Sequence, residues 1–562
     1  MLQWLMHKMR TKWIHNLTIF CYFSIILIPL WLAVDRLVWV AGYDVVGWFH
    51  AINENYISNG VLGFTVFQAL LSTIITLLYG LPIAWQLGRY EWKFQSLIKS
   101  ILTMPFVMPS IIAAIGFLQI IGNNGLDLRS NDSAMYTTLI LAHAWFNLSL
   151  VIRFCEPVLS TLDPSLEDQL RLLPAGRSFY SRLRILWIPL LAPSVAAAAC
   201  MTFVFSFTSF ALVRWITVGE NTLESMMAEI GSSAGINGYM IARNEIILSS
   251  SIIQFAILLV SLWIMSELQS RRNNVIPLKP ETFVKKRNPI GWAIILPGLC
   301  FSILPLVMIF ISSFRIRTVE NGVSTLNWST EGWSFAFTPT NVLPSASDAL
   351  LNSLGYAFFT LLFALPLGWG LCNAIIHHEK VNPRFARFID VMTLLPFAVS
   401  SVMIGLGVML GMIRINPEFF YSSWFTPVIA HVMITTPFVV RILLPAMRSL
   451  DPIFDECGMT LGLSKVNRFV KIRLPLLKGS IIIASIFTIA MSLGEFGASW
   501  VVTRNSDWTT LPIIIDTFRG VPYDRTLTVP AANAIASILM LMALSVFTFT
   551  ERFRKSEQGG MF

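Results

Sequence analysis

In a chain of 562 residues with only 13% charged side chains, the groups able to do chemistry are few and easily surveyed. His143 and His431 lie in two apolar stretches that resemble each other, Glu495 interrupts a third, and six cysteines (Cys21, Cys155, Cys200, Cys300, Cys372, Cys457) are scattered among the rest. Paired imidazoles are zinc ligands by type. Neither histidine has a carboxylate or cysteine beside it, so hydrogen bonding between packed helices is the expected role and no metal is expected. The cysteines lack C-x-x-C spacing and imply neither disulfides nor a metal site. No GxxxxGK[ST] phosphate loop occurs, and His, Asp and Glu do not cluster at catalytic spacing. Neither catalysis nor a cofactor is expected of this chain.

Glu495 is a different case. A carboxylate inside an apolar span costs at least about 2.5 kcal/mol and normally faces a cavity or a partner. It could line a path for a cation or pair with a neighbouring helix.

These residues belong to a sequence that repeats itself. Leu141 to Arg153 reads LAHAWFNLSLVIR, and about 288 residues later Ile429 to Arg441 reads IAHVMITTPFVVR. An Asp-Pro follows each, at Asp163-Pro164 and Asp451-Pro452, then a polar stretch closing on LWIP or IRLP. Further pairs keep the same order: LPIAW at Leu81 with LPLGW at Leu365, Met104-Pro105-Phe106 with Leu395-Pro396-Phe397, and Thr222-Leu223 with Thr510-Leu511. In the stretch equivalent to that of Glu495, the first half carries Ser206, Thr208 and Ser209. The four together are the candidate lining of an asymmetric translocation pathway.

The elements that must position these residues are membrane helices. With 55% apolar residues, 18 Trp and a mean hydropathy of +0.67, the chain cannot be a water-soluble globule. About twelve apolar runs are long enough to cross about 30 Å of hydrocarbon. They are expected near Leu17 to Val40, Val61 to Leu87, Ile101 to Ile121, Met135 to Ile152, Pro193 to Val213 and Ile246 to Met265, then Ile290 to Ile311, Leu351 to Ile376, Val391 to Ile413, Trp424 to Val440, Ile481 to Val502 and Ala531 to Thr550. The fold class is thus an all-α integral membrane protein of two six-helix repeats. Residues 1–269 form the first half, 270–289 a cytoplasmic linker rich in Lys, Arg, Asn and Pro, and 290–562 the second half. An even number of spans per half makes the repeat parallel. Lys and Arg concentrate on one side of the spans, which places both termini in the cytoplasm. The pI near 9.3 therefore reflects topology, and the spread of charge over many loops excludes a nucleic-acid partner. The basic N-terminus reads as an uncleaved first helix. Arg153 and Arg441, closing matched spans, are expected to anchor at the interface. The longest outer loop runs from Arg315 to Asp348, and Glu220, Glu224 and Glu229 make another outer loop acidic.

Two cytoplasmic segments, 163–189 and 451–475, stand at the same place in each half. In the second, Asp451-Pro452 and acidic Asp455 and Glu456 open a short helix ending at Gly462. An amphipathic stretch with Lys and Arg on its polar face follows, which Pro475 is expected to end. An interfacial anchor has the same pattern.

The spacing Glu456-Cys457-Gly458, three residues, Gly462, nine residues, Ile472-Arg473-Leu474-Pro475 resembles the EAA loop of permease subunits of bacterial type I ABC importers, with Cys457 and Gly458 in place of two alanines. The first copy is degenerate. Gly176, Leu186, Ile188 and Pro189 fit, but Glu167 and Asp168 lie further upstream than the pattern asks, and Pro174 should kink or end the helix. The resemblance implies that Glu456, Gly462, Ile472, Leu474, Pro475 and, in the first half, Glu167, Gly176, Leu186, Ile188 and Pro189 couple the permease to two separate ATPase subunits. It also implies an extracytoplasmic solute-binding protein as partner and the inner membrane as location. Both halves in one polypeptide resemble thiamine and ferric-iron permeases: FVFSFTSFALV at Phe203 is similar to the thiamine type, while SLGEFGASWV at Ser492 is shared more widely. An ion-coupled secondary transporter with two six-helix halves is the alternative.

Overall fold

In hydrocarbon a backbone must satisfy its own N–H and C=O groups, which leaves helices as the spanning elements of an α-type chain. The computed structural model is built accordingly. It describes residues 2–54, 60–122, 125–128, 131–161, 164–217, 220–234, 241–272, 288–320, 323–338, 340, 343–504, 506–521 and 525–554. The expected linker falls largely outside these residues, as does Asp163.

Among the described residues, nine helices are long and apolar enough to cross a membrane: His15–Ala41, Val61–Arg89, Asp132–Ser160, Tyr180–Phe207, Asn244–Met265, Pro289–Ser312, Ala346–Val381, Thr426–Arg448 and Thr526–Phe549. Two more candidates are bent pairs, Gln95–Val107 with Ser110–Ile121 (101°) and Val466–Leu476 with Lys478–Gly494 (76°), which brings the count to as many as eleven, and the ninth expected span holds the shorter apolar helix Ser401–Ile415. The third and ninth expected spans differ from continuous helices for one reason. Both contain the repeated Met/Leu-Pro-Phe motif, and a proline has no N–H and restricts the residue before it. In the first half the chain turns through a 3₁₀ segment at Met104–Val107 and restarts after Pro109. In the second, Leu395–Val399 is a separate short helix, and Ser400 takes φ 61° before Ser401–Ile415 begins. The expected all-helical architecture gains one β element: in the long outer loop, Arg315–Glu320 and Val323–Trp328 form an antiparallel hairpin with Arg315 opposite Trp328.

The chain divides into two compact units, one of residues 1–51, 227–249 and 331–562, the other of 52–226 and 250–330. The first unit combines the amino-terminal helix with most of the second half of the sequence. There Gly407 and Gly411 admit that helix closely, since a Cβ on Gly411 would stand 2.9 Å from the Pro29 carbonyl oxygen. Arg414 pairs with Asp35 at 3.1 Å, and Tyr22 donates to the Thr393 carbonyl at 2.9 Å. In the second unit the helix Trp292–Ser312 packs against Ser110–Ile121. A Cβ on Gly116 would meet the Pro305 carbonyl oxygen at 2.9 Å, and Trp145 donates its indole N–H to the Ser302 carbonyl at 3.1 Å.

The repeat recurs in matching contacts within each unit. Gly80 faces Val151 and Gly368 faces Val439, each so near that an added Cβ would lie within 2.8 and 2.5 Å. Thr65 accepts the N–H of Leu223 at 3.1 Å, and Ser353 accepts that of Leu511 at 2.8 Å. The Thr-Leu pair that recurs in the sequence is therefore a helix start whose buried N–H, with no partner inside its own helix, is met by a hydroxyl from an earlier helix.

Candidate functional site

The second loop segment, 451–475, folds as a helix, a sharp turn and a second helix. Asp451 accepts the Ile453 N–H at 3.0 Å and opens the helix Pro452–Thr460, as an N-cap carboxylate should. The helix ends in a left-handed residue, Gly462 at φ 71°, with the Leu463 N–H returning to the Gly458 carbonyl at 3.0 Å. This is the helix-stop arrangement that favours glycine. Ser464 then caps the next helix through Asn467 at 3.3 Å. The two arms close on each other at Gly458, where a Cβ would stand 2.6 Å from the Ile472 side chain. Asp455 ties them, pairing with Arg473 at 2.5 Å and Arg468 at 4.0 Å. Glu456, Leu474 and Pro475 are exposed.

Pro475 does not end the second arm. A π-helical turn, Phe469–Arg473, precedes it, with the Leu474 N–H bonded to the Phe469 carbonyl. The wider turn accommodates the proline ring, and the bend comes at Leu477–Lys478. The first segment carries the same π turn at Leu183–Trp187 before Pro189, yet its helix continues straight into the span.

The first copy is built differently at its turn. Its helix Pro164–Leu172 ends before Pro174, where a 3₁₀ turn Pro174–Gly176 takes over. Gly176 has no positive φ; it is glycine because a Cβ would lie 1.8 Å from the Leu170 carbonyl oxygen. Glu167 is the hub of this loop, within 3.0 Å of Arg89 and Arg171 and 3.5 Å of Arg182. By position in the repeat, Glu167 corresponds to Asp455 and Arg182 to Arg468, so one acid–arginine pair clamps each loop. Leu186 packs into the apolar cluster around Trp187, while Ile188 is half exposed.

One structural role was not assigned from sequence. Trp85 and Trp369, in the recurring LPxxW pentapeptides, each pack edge-on against the second arm of the loop in their own unit: Trp85 on Trp187 at 4.6 Å, Trp369 on Phe469 at 5.5 Å. The recurrence was the available signal. Arg441 is likewise more than an interfacial anchor, since it pairs with Asp390 at 2.9 Å.

The interior residues lie apart from the loops. Glu495 stands at the break between Lys478–Gly494 and Gly497–Val502, where it accepts the N–H groups of Ala498 at 3.1 Å and Ser499 at 2.9 Å. His431, fully buried, shares hydrogen bonds with Ser492 at 2.8 Å and Ser499 at 2.7 Å. In the other unit the equivalent His143 meets Ser72 at 3.2 Å, and Asn147 donates to Ser206 at 3.1 Å. Thr208 donates to its own helix at Val204, and Ser209 is buried at the break that follows.

Broken helices around buried polar groups, repeated in each half of a chain of apolar spans, are the architecture of a membrane permease. Residues 364–556 match the family described as binding-protein-dependent transport system inner membrane component. That match lies in the second half, and similarity along most of the chain to permeases that carry both halves in one polypeptide makes this chain a multi-pass inner-membrane ABC importer permease of the fused form. It is 22% identical to the thiamine transport system permease protein ThiP of Brucella abortus (strain 2308), over 89% of this chain and 88% of that one. It is also 22% identical to the ThiP of Haemophilus influenzae, over 91% and 90%. The sulfate transport system permease protein CysT of Salmonella typhimurium is 26% identical over 47% of this chain and 97% of its own length. These similarities are to ABC importer permeases and not to the ion-coupled secondary transporter given as the alternative.

Proposed function

We infer that this chain is the transmembrane subunit of an importer for thiamine, delivered by an extracytoplasmic binding protein and driven by two copies of a separate ATPase. The single observation that carries the substrate is that relatives similar across both halves are thiamine permeases, whereas the sulfate permease is similar over only 47% of the chain. Ferric iron, which fits a fused permease equally on sequence grounds, is the less supported substrate.

In this reading the two loops are the ATPase contacts. Each offers exposed apolar side chains on a rigid turn: Ile453, Phe454 and Leu461 in the second, Leu172 and Tyr180 in the first. Glu456, Gly462, Ile472, Leu474 and Pro475 shape one contact, and Glu167, Gly176, Leu186, Ile188 and Pro189 the other. Both termini and both loops are cytoplasmic. ATP drives transport because the ATPase dimer binds it differently in two global states, which the loops transmit. The pathway runs past the helix breaks at Ser206, Thr208, Ser209 and Glu495.

The test is uptake of radiolabelled thiamine into proteoliposomes holding this chain, its ATPase and its binding protein. Uptake should require ATP and both partners, and Gly462→Asp should lose ATPase association and uptake together. Sulfate uptake without thiamine uptake overturns the substrate; uptake without an ATPase overturns the mechanism.

A further inference from the structure

Within the unit that contains Glu495, a small open cleft lies beside the end of Gly497–Val502. Tyr356, Tyr421 and Trp508 wall it, and Thr503 and Arg504 line it. Several polar groups at these walls are already used: Tyr356 donates to the Trp508 carbonyl at 3.2 Å, Thr426 to the Ser423 carbonyl at 3.0 Å, and Ser423 to the Phe419 carbonyl. Thr503 and Arg504 are not. The Thr503 hydroxyl oxygen is buried without a hydrogen-bond partner.

Arg504 is half-buried, and among the described residues it makes no ion pair and no cation–π contact. Its Nη2 donates to the Met409 sulfur at 3.0 Å, a thioether being a weak acceptor, and Tyr421 is its other neighbour at the cleft. Other arginines of the same unit are treated differently: Arg414 pairs with Asp35, Arg441 with Asp390, Arg448 with Glu379 and Arg473 with Asp455. A guanidinium has five N–H donors and is always charged. A guanidinium partly withdrawn from water and an unspent hydroxyl therefore stand among the residues lining one cleft.

We propose that this cleft is a binding site for a small anion, of chloride or carboxylate size, held by Arg504 and Thr503. The site stands independently of the transported substrate, since a cation such as thiamine is repelled by Arg504. Charge-assisted bonds from arginine are the strong ones in such a site, and the hydroxyl adds direction.

The probe is iodide, which both occupies an anion site and quenches tryptophan; with 18 Trp in the chain, the Trp508 component is read as the difference from a Trp508→Phe protein. Full-length protein in lipid nanodiscs of neutral lipid is titrated with iodide at constant ionic strength. A saturable quenching component is expected, displaced by chloride or acetate and absent with caesium. Arg504→Gln should weaken it at least about tenfold and Thr503→Val by a few-fold, with Arg504→Lys between wild type and Arg504→Gln. Quenching that is linear in wild type, or saturable and unchanged in an Arg504→Gln protein with normal elution and melting, overturns the site. If Arg504→Gln does not fold, unchanged saturation in Thr503→Val overturns the assignment of the hydroxyl and with it this geometry.

Discussion

The carboxylate of Glu495 lies 3.8 Å from Nε2 of His431, and both side chains are buried in one unit. Ser499 joins them: its backbone N–H donates to Glu495, and its hydroxyl meets His431 at 2.7 Å. Glu495 thus caps the helix that restarts after the break and sits against the span bearing His431. A capping role separates from a substrate-charge role by substitution. Glu495→Ala should cost about 2 kcal/mol through two orphaned N–H groups and lower the melting temperature. Glu495→Gln, which keeps an acceptor, should melt closer to wild type and retain uptake within a few-fold. A stable Glu495→Gln protein with uptake reduced more than tenfold makes the charge itself the functional group.

The two loop glycines should respond differently to the same substitution. Gly176→Ala drives a Cβ against the Leu170 carbonyl, and overpacking of this kind costs about 1–3 kcal/mol. At Gly462 there is open space around a Cβ but φ is 71°, so Ala costs about 1–2 kcal/mol and Asn less. ATPase activity stimulated by the binding protein, measured for Gly462→Ala, Gly462→Asn and Gly176→Ala, should therefore be rescued by Asn at 462. Equal loss with Ala and Asn at 462 shows that the position matters for contact and not for backbone geometry.

Removing the hydroxyls that meet the recurring Thr-Leu helix starts leaves a buried N–H unpaired. Thr65→Val and Ser353→Ala should each destabilise by about 1–3 kcal/mol, read as a lower melting temperature in detergent. Matched losses at the two positions would show the repeat to be energetic as well as geometric. No loss at either would mean that another acceptor replaces the hydroxyl.

The loop clamps should be unequal. Glu167 is largely shielded with Arg89 and Arg182, each side chain 14% exposed, whereas Asp455 pairs with the more open Arg473 at 38%. Exposed ion pairs contribute about 0–1 kcal/mol. Hydrogen exchange should accelerate through 164–182 in Glu167→Ala more than through 452–468 in Asp455→Ala. The reverse order would place the stability of both loops in their apolar contacts.

Composition, run length and the recurring motifs determined the membrane class, the two-half repeat and the family, because hydrocarbon permits few backbone solutions and because the loop's Gly-to-Pro interval survives in both copies. Positions of the helix breaks were legible in the repeated prolines only after the fact: Met104-Pro105-Phe106 and Leu395-Pro396-Phe397 sit inside apolar runs that hydropathy reads as continuous. Three matters were decided by tertiary structure. The assembly of each unit from both halves of the sequence rests on close approaches such as Gly411 to Pro29 and Gly116 to Pro305, which no local pattern encodes. The reason for each loop glycine, a positive φ at Gly462 and a crowding carbonyl at Gly176, depends on the path of the chain and not on its spacing. The partners of Glu495 depend likewise on where two helices and a break meet, since a buried carboxylate is explained by the groups that surround it, and those come from residues more than sixty positions away as well as from the next turn.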